Sequence, residues 1–256
     1  MALKRFDMDK TGQAGGTLLV YSEAANGKTH LIGDMLADEQ ANGKVLYINV
    51  AGEDGMLTIS GLKLGNIGVT IETFEDFEDL VKEATEGKRY QAIGLDSLQM
   101  LAKLAIKKVV KEDRMPRVVK GSPINEWQET HLLMEKTCRV YFKRLAKFAM
   151  VACSIDKLSD QLDLDDKPKP KFIGPNLPGK EAQEVAYWFD FVGELRCRPG
   201  GKPGEYVRKL DMVKDNIHIV RQRLPKMITE PITIPMGRGG WKAIKTLIEQ
   251  HGGFNG

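Results

Sequence analysis

The apolar run Gly16-Thr17-Leu18-Leu19-Val20-Tyr21 enters a turn, and from Lys28 onward Leu31, Ile32, Met35 and Leu36 recur at helical spacing. The chain therefore begins as strand, loop, helix. The alternation continues. Lys44 to Val50 and Gly68 to Ile71 are β-branched runs that follow Asn42-Gly43 and Gly65-Asn66 and read as buried strands. Phe74, Phe77, Leu80, Val81 and Ala84 recur three and four apart in an acidic background, which predicts an amphipathic helix before a strand at Tyr90 to Asp96. Helices are expected over 98–112 and 125–149, parted by a basic loop whose prolines and glycine break any continuous helix. A strand follows at Phe148 to Ser154. Leu158 to Gly179, with its Lys-Pro alternation, reads as a mobile loop. After a short helix at 180–188, the runs Phe189 to Cys197, Glu205 to Val213 and Asn216 to Arg223 predict a β-meander, and Trp241 to Gln250 a closing helix. Strands alternating with helices up to residue 154 predict an α/β fold, a mainly parallel sheet with helices on both faces and late hairpins extending its edge.

No Pro-, Gly- or Ser-rich linker divides the 256 residues, so the expectation is a single domain over 1–256 with a flexible N-terminal segment at 1–15. A hydrophobic share of 42% with 29% charged residues excludes a disordered or membrane-spanning chain. No apolar run approaches bilayer length and the N-terminus lacks a secretory pattern, which predicts a cytoplasmic protein with no membrane partner. Cys138, Cys153 and Cys197 lie far apart, and neither they nor the scattered histidines have metal-ligand spacing; buried free thiols are the expectation.

The chemistry is concentrated after the first strand. Ser22-Glu23-Ala24-Ala25-Asn26-Gly27-Lys28-Thr29 approximates the phosphate-binding pattern G-x-x-x-x-G-K-[ST], with serine in place of the first glycine, and His30 follows it. Gly27 lets backbone amides approach a phosphate, Lys28 supplies a cation to the β- and γ-phosphates, and Thr29 offers a hydroxyl to Mg²⁺. By itself so short a string has little specificity. Asp96, ending an apolar strand, supplies the context, since a carboxylate there can hold the Mg²⁺ through water. Two further positions each admit two readings. Glu53 is either the residue that orients an attacking water, with Asp54 as another possible base, or part of a solvated acidic turn; Ser154 is either a γ-phosphate sensor or an ordinary strand-end hydroxyl.

Charge is unevenly spread. Residues 1–100 carry 9 basic and 16 acidic side chains, whereas 101–150 carry 12 against 5 and 167–226 carry 13 against 7. Clustered cations of this kind either face solvent or supply the sequence-independent attraction for a nucleic-acid backbone. Arg221 and Arg223, two apart, are expected on one face of a strand.

The order of these pieces resembles the RecA superfamily. More closely, it is similar to the phage-encoded, RecA-like AAA-type ATPases that act as single-strand annealing proteins in recombination. The stretches that carry the resemblance are Tyr21 to Thr29, Tyr90 to Leu98, Ile124-Asn125-Glu126-Trp127, Pro175 to Lys180, Trp188 to Val192 and Val220 to Arg223. The resemblance implies a RecA-like P-loop NTPase core that binds ATP and Mg²⁺ and assembles into rings or filaments with the nucleotide between subunits. Lys28, Glu53 and Asp96 would then act in hydrolysis, and Arg221 and Arg223 would reach in trans toward a neighbour's γ-phosphate. It further implies that single-stranded DNA is held by loops near 113–123 and 156–179, through Arg114, Arg117 and Lys120 in the first and Lys167, Lys169 and Lys171 in the second, and it leaves room for a single-strand-binding protein as partner. Phe172 is the one stacking aromatic in those loops, so backbone contact is expected there. Other functions on the same core are a non-catalytic, nucleotide-gated assembly protein and a helicase-like motor. The chain departs from the family pattern at Ser22, at Asn49, where a strand-end aspartate is common, and in the acidic run Asp156 to Asp166.

Overall fold

The computed structural model describes residues 15–53, 56–59, 68–112, 114–117, 125–162, 168–178, 181–201 and 205–254, with backbone alone at 56–57, 88, 157–162 and 168–171. The N-terminal segment thus lies outside the described residues but for Gly15.

The first strand, β1 (Gly16–Ser22), is buried throughout and leads into α1 (Lys28–Glu39). Then come β2 (Val45–Val50), the short α2 (Met56–Ile59), β3 (Gly68–Ile71), α3 (Phe74–Glu83), β4 (Tyr90–Asp96) and α4 (Leu98–Val110). Helix α5 (Glu126–Lys136) passes through a wide turn at Thr137–Tyr141 into α6 (Phe142–Leu145), and β5 (Ala146–Leu162) follows at once. The predicted helix over 125–149 is therefore cut short, because Ala146 and Phe148 are claimed by parallel pairing with β4 and β1. The chain closes with β6 (Pro168–Pro175), α7 (Glu181–Glu184), β7 (Phe191–Pro199), β8 (Tyr206–Asp211), β9 (Arg221–Gln222), β10 (Ile232–Ile234) and α8 (Gly240–Gln250).

The main sheet runs in the order β10-β8-β7-β1-β5-β4-β2-β3, parallel from β7 to β3 and antiparallel at β8 and β10. One strand, β5, thus separates the strand that leads into the phosphate loop from the strand that ends on Asp96. Two apolar cores lie on the two faces. One gathers Phe74, Phe77, Leu101, Met134 and Phe142 from α3 to α6; the other gathers Leu31, Ile32, Met35, Trp241, Ile244 and Ile248 from α1 and α8. The close seat of α1 on the sheet needs Gly94, since a Cβ there would lie 2.0 Å from Ile32 Cγ2. Among the described residues no helix is long and apolar enough to cross a membrane. Cys138 and Cys153 are buried free thiols, and Cys197 is half-buried and free.

Two expectations are corrected. Much of the predicted mobile loop after Leu158 is an antiparallel hairpin, β5 continuing to Leu162 and pairing with β6. Pro168 is the first residue of β6 and Pro170 sits where the pairing with β5 is irregular, both positions at which a strand tolerates proline. The meander is also incomplete. Of Asn216 to Arg223 only Arg221–Gln222 forms a strand, and it returns to β7 rather than extending β8, which pairs instead with β10.

Helix α1 and helix α8 are joined by two buried carboxylates. Asp34 accepts the backbone N–H groups of Gly239 (3.0 Å) and Trp241 (2.9 Å), satisfying the open N-terminus of α8 from a distant part of the chain. Glu39 accepts from Trp241 Nε1 (2.9 Å), Lys245 (2.7 Å) and Gln91 (2.8 Å). Burial alone would raise the Glu39 carboxyl, but these donors outweigh it and hold it below its ordinary value of 4.5. Because the folded group releases its proton more readily than the unfolded one, its contribution is complete above pH 4.5 and is lost as pH falls through the depressed folded value. Urea titrations across this acid range should show that Glu39→Gln is less stable than the parent at neutral pH and that the difference shrinks on acidification; a constant difference would contradict the assignment.

Candidate functional site

The loop after β1, the turn after β2 and the ends of β4 and β5 meet at the C-terminal edge of the parallel strands, where open α/β sheets bind ligands. Ala25 (φ 62°) and Gly27 (φ 89°) turn the loop through left-handed backbone, and Asn26 Nδ2 ties it to the carbonyl of Leu195 on β7 (3.2 Å). Helix α1 starts at Lys28 with no acidic residue in its first turn and no side-chain cap. Its positive end is thus left for an anion. Ser22, in the place of the pattern's first glycine, fits without strain: its hydroxyl donates to the Glu23 carbonyl (2.9 Å) and accepts from Lys28 Nζ (3.1 Å). Lys28 also donates to the carbonyls of Ser22 (3.1 Å) and Glu23 (3.0 Å), so its ammonium is held inside the loop. Burial pushes its pKa down, against the opposing pull of Asp96, Cys153 and Glu53. Glu23, Ala24 and Ala25 are exposed.

Behind the loop, Thr29 Oγ1 donates to Asp96 Oδ2 at 2.6 Å, and Tyr47 on β2 donates to the same oxygen at 3.3 Å. Hydroxyl and carboxylate come from separate elements, α1 and β4, 67 residues apart in sequence. Lys28, Thr29 and Asp96, with the helix end, fit a nucleotide's phosphates and a magnesium ion: a hard oxygen pair beside a cation and a row of amides is the donor set such a group requires. Among the described residues, no three His, Cys, Asp or Glu side chains gather as a cage of protein ligands would.

Glu53 is brought to this edge by the turn after β2. Its Oε1 accepts from Ser97 Oγ (2.6 Å) and from Gln99 Nε2 (3.4 Å). Gln99 Oε1 in turn accepts the Ser154 backbone N–H (2.8 Å) and the Ser154 hydroxyl. Glu53 and Ser154 are therefore joined through one glutamine on the first turn of α4. Cys153, beside it, is buried and its thiol is pushed up to about 12, burial being the main cause. Asp54 lies outside the described residues.

Several predicted residues fall elsewhere. His30 is turned away from the loop toward the carbonyl of Gly237 (3.2 Å). Arg221 donates to the Ala186 carbonyl (3.1 Å) and lies over the Tyr187 ring, while Arg223 pairs with Asp190 (3.2 Å). Asp190 also accepts from Thr17 at the start of β1, five residues before Ser22 and so about 17 Å from it at roughly 3.3 Å per residue. Arg223 thus stands toward the far end of the sheet from its own phosphate loop. Arg114 is engaged by Glu126 in a two-pronged pair (2.7 and 2.8 Å), which holds that carboxyl down to about 2. Arg117 is exposed. Lys120 and Lys167 lie outside the described residues, as do the side chains of Lys169 and Lys171.

Sequence reasoning missed Ser97, Gln99 and Arg208. Arg208 is 4% exposed on β8, hydrogen-bonds the Pro235 carbonyl, and leaves its Nε without a partner. Burial lowers its pKa, and its Nη1 lies 2.6 Å from where a Cβ on Gly27 would stand. A second cation, this one buried, thus backs the loop. Gly27→Ala would combine left-handed backbone, which costs a side chain about 1–2 kcal/mol, with a clash against that guanidinium. The expected outcome is a lowered urea midpoint together with weakened nucleotide binding by calorimetry; an unchanged midpoint would contradict the geometry.

The profile of one known family, described as an AAA domain, matches residues 14–220. No curated protein matches the chain. The matched span holds the phosphate loop, Glu53, Asp96 and Ser154 and stops just before Arg221. With the loop, its Thr29–Asp96 pair and the parallel sheet all inside that span, the chain belongs to the AAA domain family of P-loop NTPases.

Proposed function

We propose that the protein is a RecA-like ATPase that binds single-stranded DNA and acts in strand annealing or recombination, with hydrolysis at the loop Ser22 to Thr29. The observation that carries the ATPase part is the chain of contacts Thr29–Asp96 (2.6 Å) and Ser97–Glu53 (2.6 Å), with Gln99 linking Glu53 to Ser154. Thr29 and Asp96 would hold Mg²⁺, which when bound offsets charge on the phosphates. Lys28 would exchange its carbonyl partners for phosphate oxygens, and Glu53 would orient water with its second oxygen while Ser97 and Gln99 fix the first.

Single-stranded DNA is supported by the basic balance of 101–150 and by exposed Arg117. Arg223, toward the other end of the sheet from its own loop, and Arg221, level with Leu19 in the middle of β1, are placed away from that loop, which fits a role on a neighbouring subunit in a ring or filament. Each would first have to give up its present partner, Tyr187 or Asp190.

ATP hydrolysis measured with and without single-stranded DNA tests the reading. Hydrolysis should be stimulated by the strand and abolished by Lys28→Ala. Mixing Lys28→Ala with Arg223→Ala should restore part of it, because a mixed interface can pair an intact loop with an intact arginine. Absence of hydrolysis under both conditions would favour a non-catalytic, nucleotide-gated protein instead. Gln99→Leu should lower kcat about tenfold or more while changing ATP affinity little, since it frees Glu53 and Ser154 without touching the phosphate loop. An equal loss in both would show that Gln99 supports binding rather than positioning.

A further inference from the structure

A cavity of about 550 Å³ lies between the first turns of α5 and the short α7, lined by Asn125, Trp127, Gln128 and His131 on one side and Glu181 and Glu184 on the other. Its size is that of a small-ligand site. The side chains around it carry more recognition chemistry than the fold uses. Trp127 is half-buried, and among the described residues no other ring packs on it, whereas Trp188 is met edge-on by His131 (5.3 Å). Asn125 and Gln128 form a capping box through their amide oxygens, which leaves each an NH₂ group as donor. His131 Nε2 meets Glu184 at 3.1 Å.

Glu181 is the least satisfied member. It is 3% exposed, and its Oε2 has no hydrogen-bond partner. Burial, with Glu184 adding to it, pushes its carboxyl up to about 7. A buried carboxyl oxygen without a donor is costly unless a ligand supplies one. A phosphate would be repelled by two carboxylates. A flat heteroaromatic ring with amino and ring-nitrogen groups along one edge would instead cover the tryptophan and answer both the carboxyl and the amide donors.

The surroundings say how such a ring would arrive. The backbone N–H of Arg117 donates to Glu126 Oε2 (2.7 Å), and Arg114 grips the same carboxylate, so the basic segment is fastened to the residue before Trp127. Exposed Arg117 thus stands near the cavity, available to a phosphate on a strand whose base turns inward.

We propose that this cavity receives one unstacked base of a single-stranded nucleic acid, stacked on Trp127 and met along its polar edge by Glu181, Asn125 and Gln128. This rests on the single-strand reading above and deepens it, adding a base subsite to what the loops alone suggest is backbone binding.

The test compares fluorescence anisotropy of a labelled single-stranded oligonucleotide with that of an abasic strand of equal length, on the full chain with ATP and Mg²⁺. The wild type should bind the base-bearing strand more tightly. Trp127→Ala should weaken that strand by about 5- to 140-fold, the span of one base–aromatic stack, and leave the abasic strand unchanged. Trp127→Phe should retain most of the difference. Unaltered affinity for a fluorescent ATP analogue would show that the variants are folded. Equal binding of the two strands by wild type, or equal weakening of both by Trp127→Ala, overturns the base subsite alone. Failure of the wild type to bind either strand overturns the single-strand reading, and the subsite with it.

Discussion

Everything at the site is referred to the register of β1. That strand is buried along its length and hydrogen-bonded on both sides, to β5 over seven residue pairs and to β7 over four. A slip of one residue would turn Leu19 and Tyr21 into the core that belongs to Leu18 and Val20, so the register is fixed by both apolar layers at once. The buried Asp190 adds a polar stop at the strand's start through the Thr17 N–H (3.1 Å) and hydroxyl (3.0 Å). Ser22 is thereby set opposite Ser154, and the loop that follows begins at a defined height above the sheet.

Positive charge is then delivered to that height from two distant parts of the chain: the uncapped start of α1 with its first residue Lys28, and Arg208 on β8. Both side chains have their pKa values lowered, with burial the leading cause in each case. Arg208, buried with its Nε unpartnered, raises the free energy of the folded chain, and a polyanionic ligand would relieve it. Affinity for phosphate and cost to stability arise here from the same atoms.

How much of this could be read from residues alone follows from how local each signal is. Strand β1, the Gly27-Lys28-Thr29 turn and Asp96 are legible because apolar period and turn residues lie within a few positions of each other. The hairpin at β5 and β6 was hidden because Lys-Pro alternation resembles a loop, and only the pairing shows one proline at the strand's start and the other where the register is irregular. Ser97 and Gln99 follow Asp96 directly, yet nothing in the string says that the chain folds Glu53 back onto them. Arg208 did leave a trace: Tyr206 to Asp211 alternates, and Arg208 shares the inward side with Leu210. An arginine on the apolar side of a strand is a signal worth reading. The Arg221 and Arg223 pairing with Tyr187 and Asp190 had no such trace, because it depends on β9 returning to β7.

The hairpin of β5 and β6 has a mechanical consequence. Strand β5 runs on from the middle of the sheet into the hairpin, regularly paired as far as Leu158 and irregularly beyond it, and Asn176 closes the hairpin's base by donating its N–H to the Ser154 carbonyl (2.8 Å). From Ser154 to Leu158, before the first irregularity, the strand extends roughly 13 Å at about 3.3 Å per residue. A segment of that length works as a lever whose fulcrum is the residue held by Gln99, which also holds Glu53. Tilting that segment by about 10° at its base would carry Leu158 through roughly 2 Å at about 3.3 Å per residue, so a small displacement at Ser154 becomes a full atomic step where the irregular part of the hairpin begins.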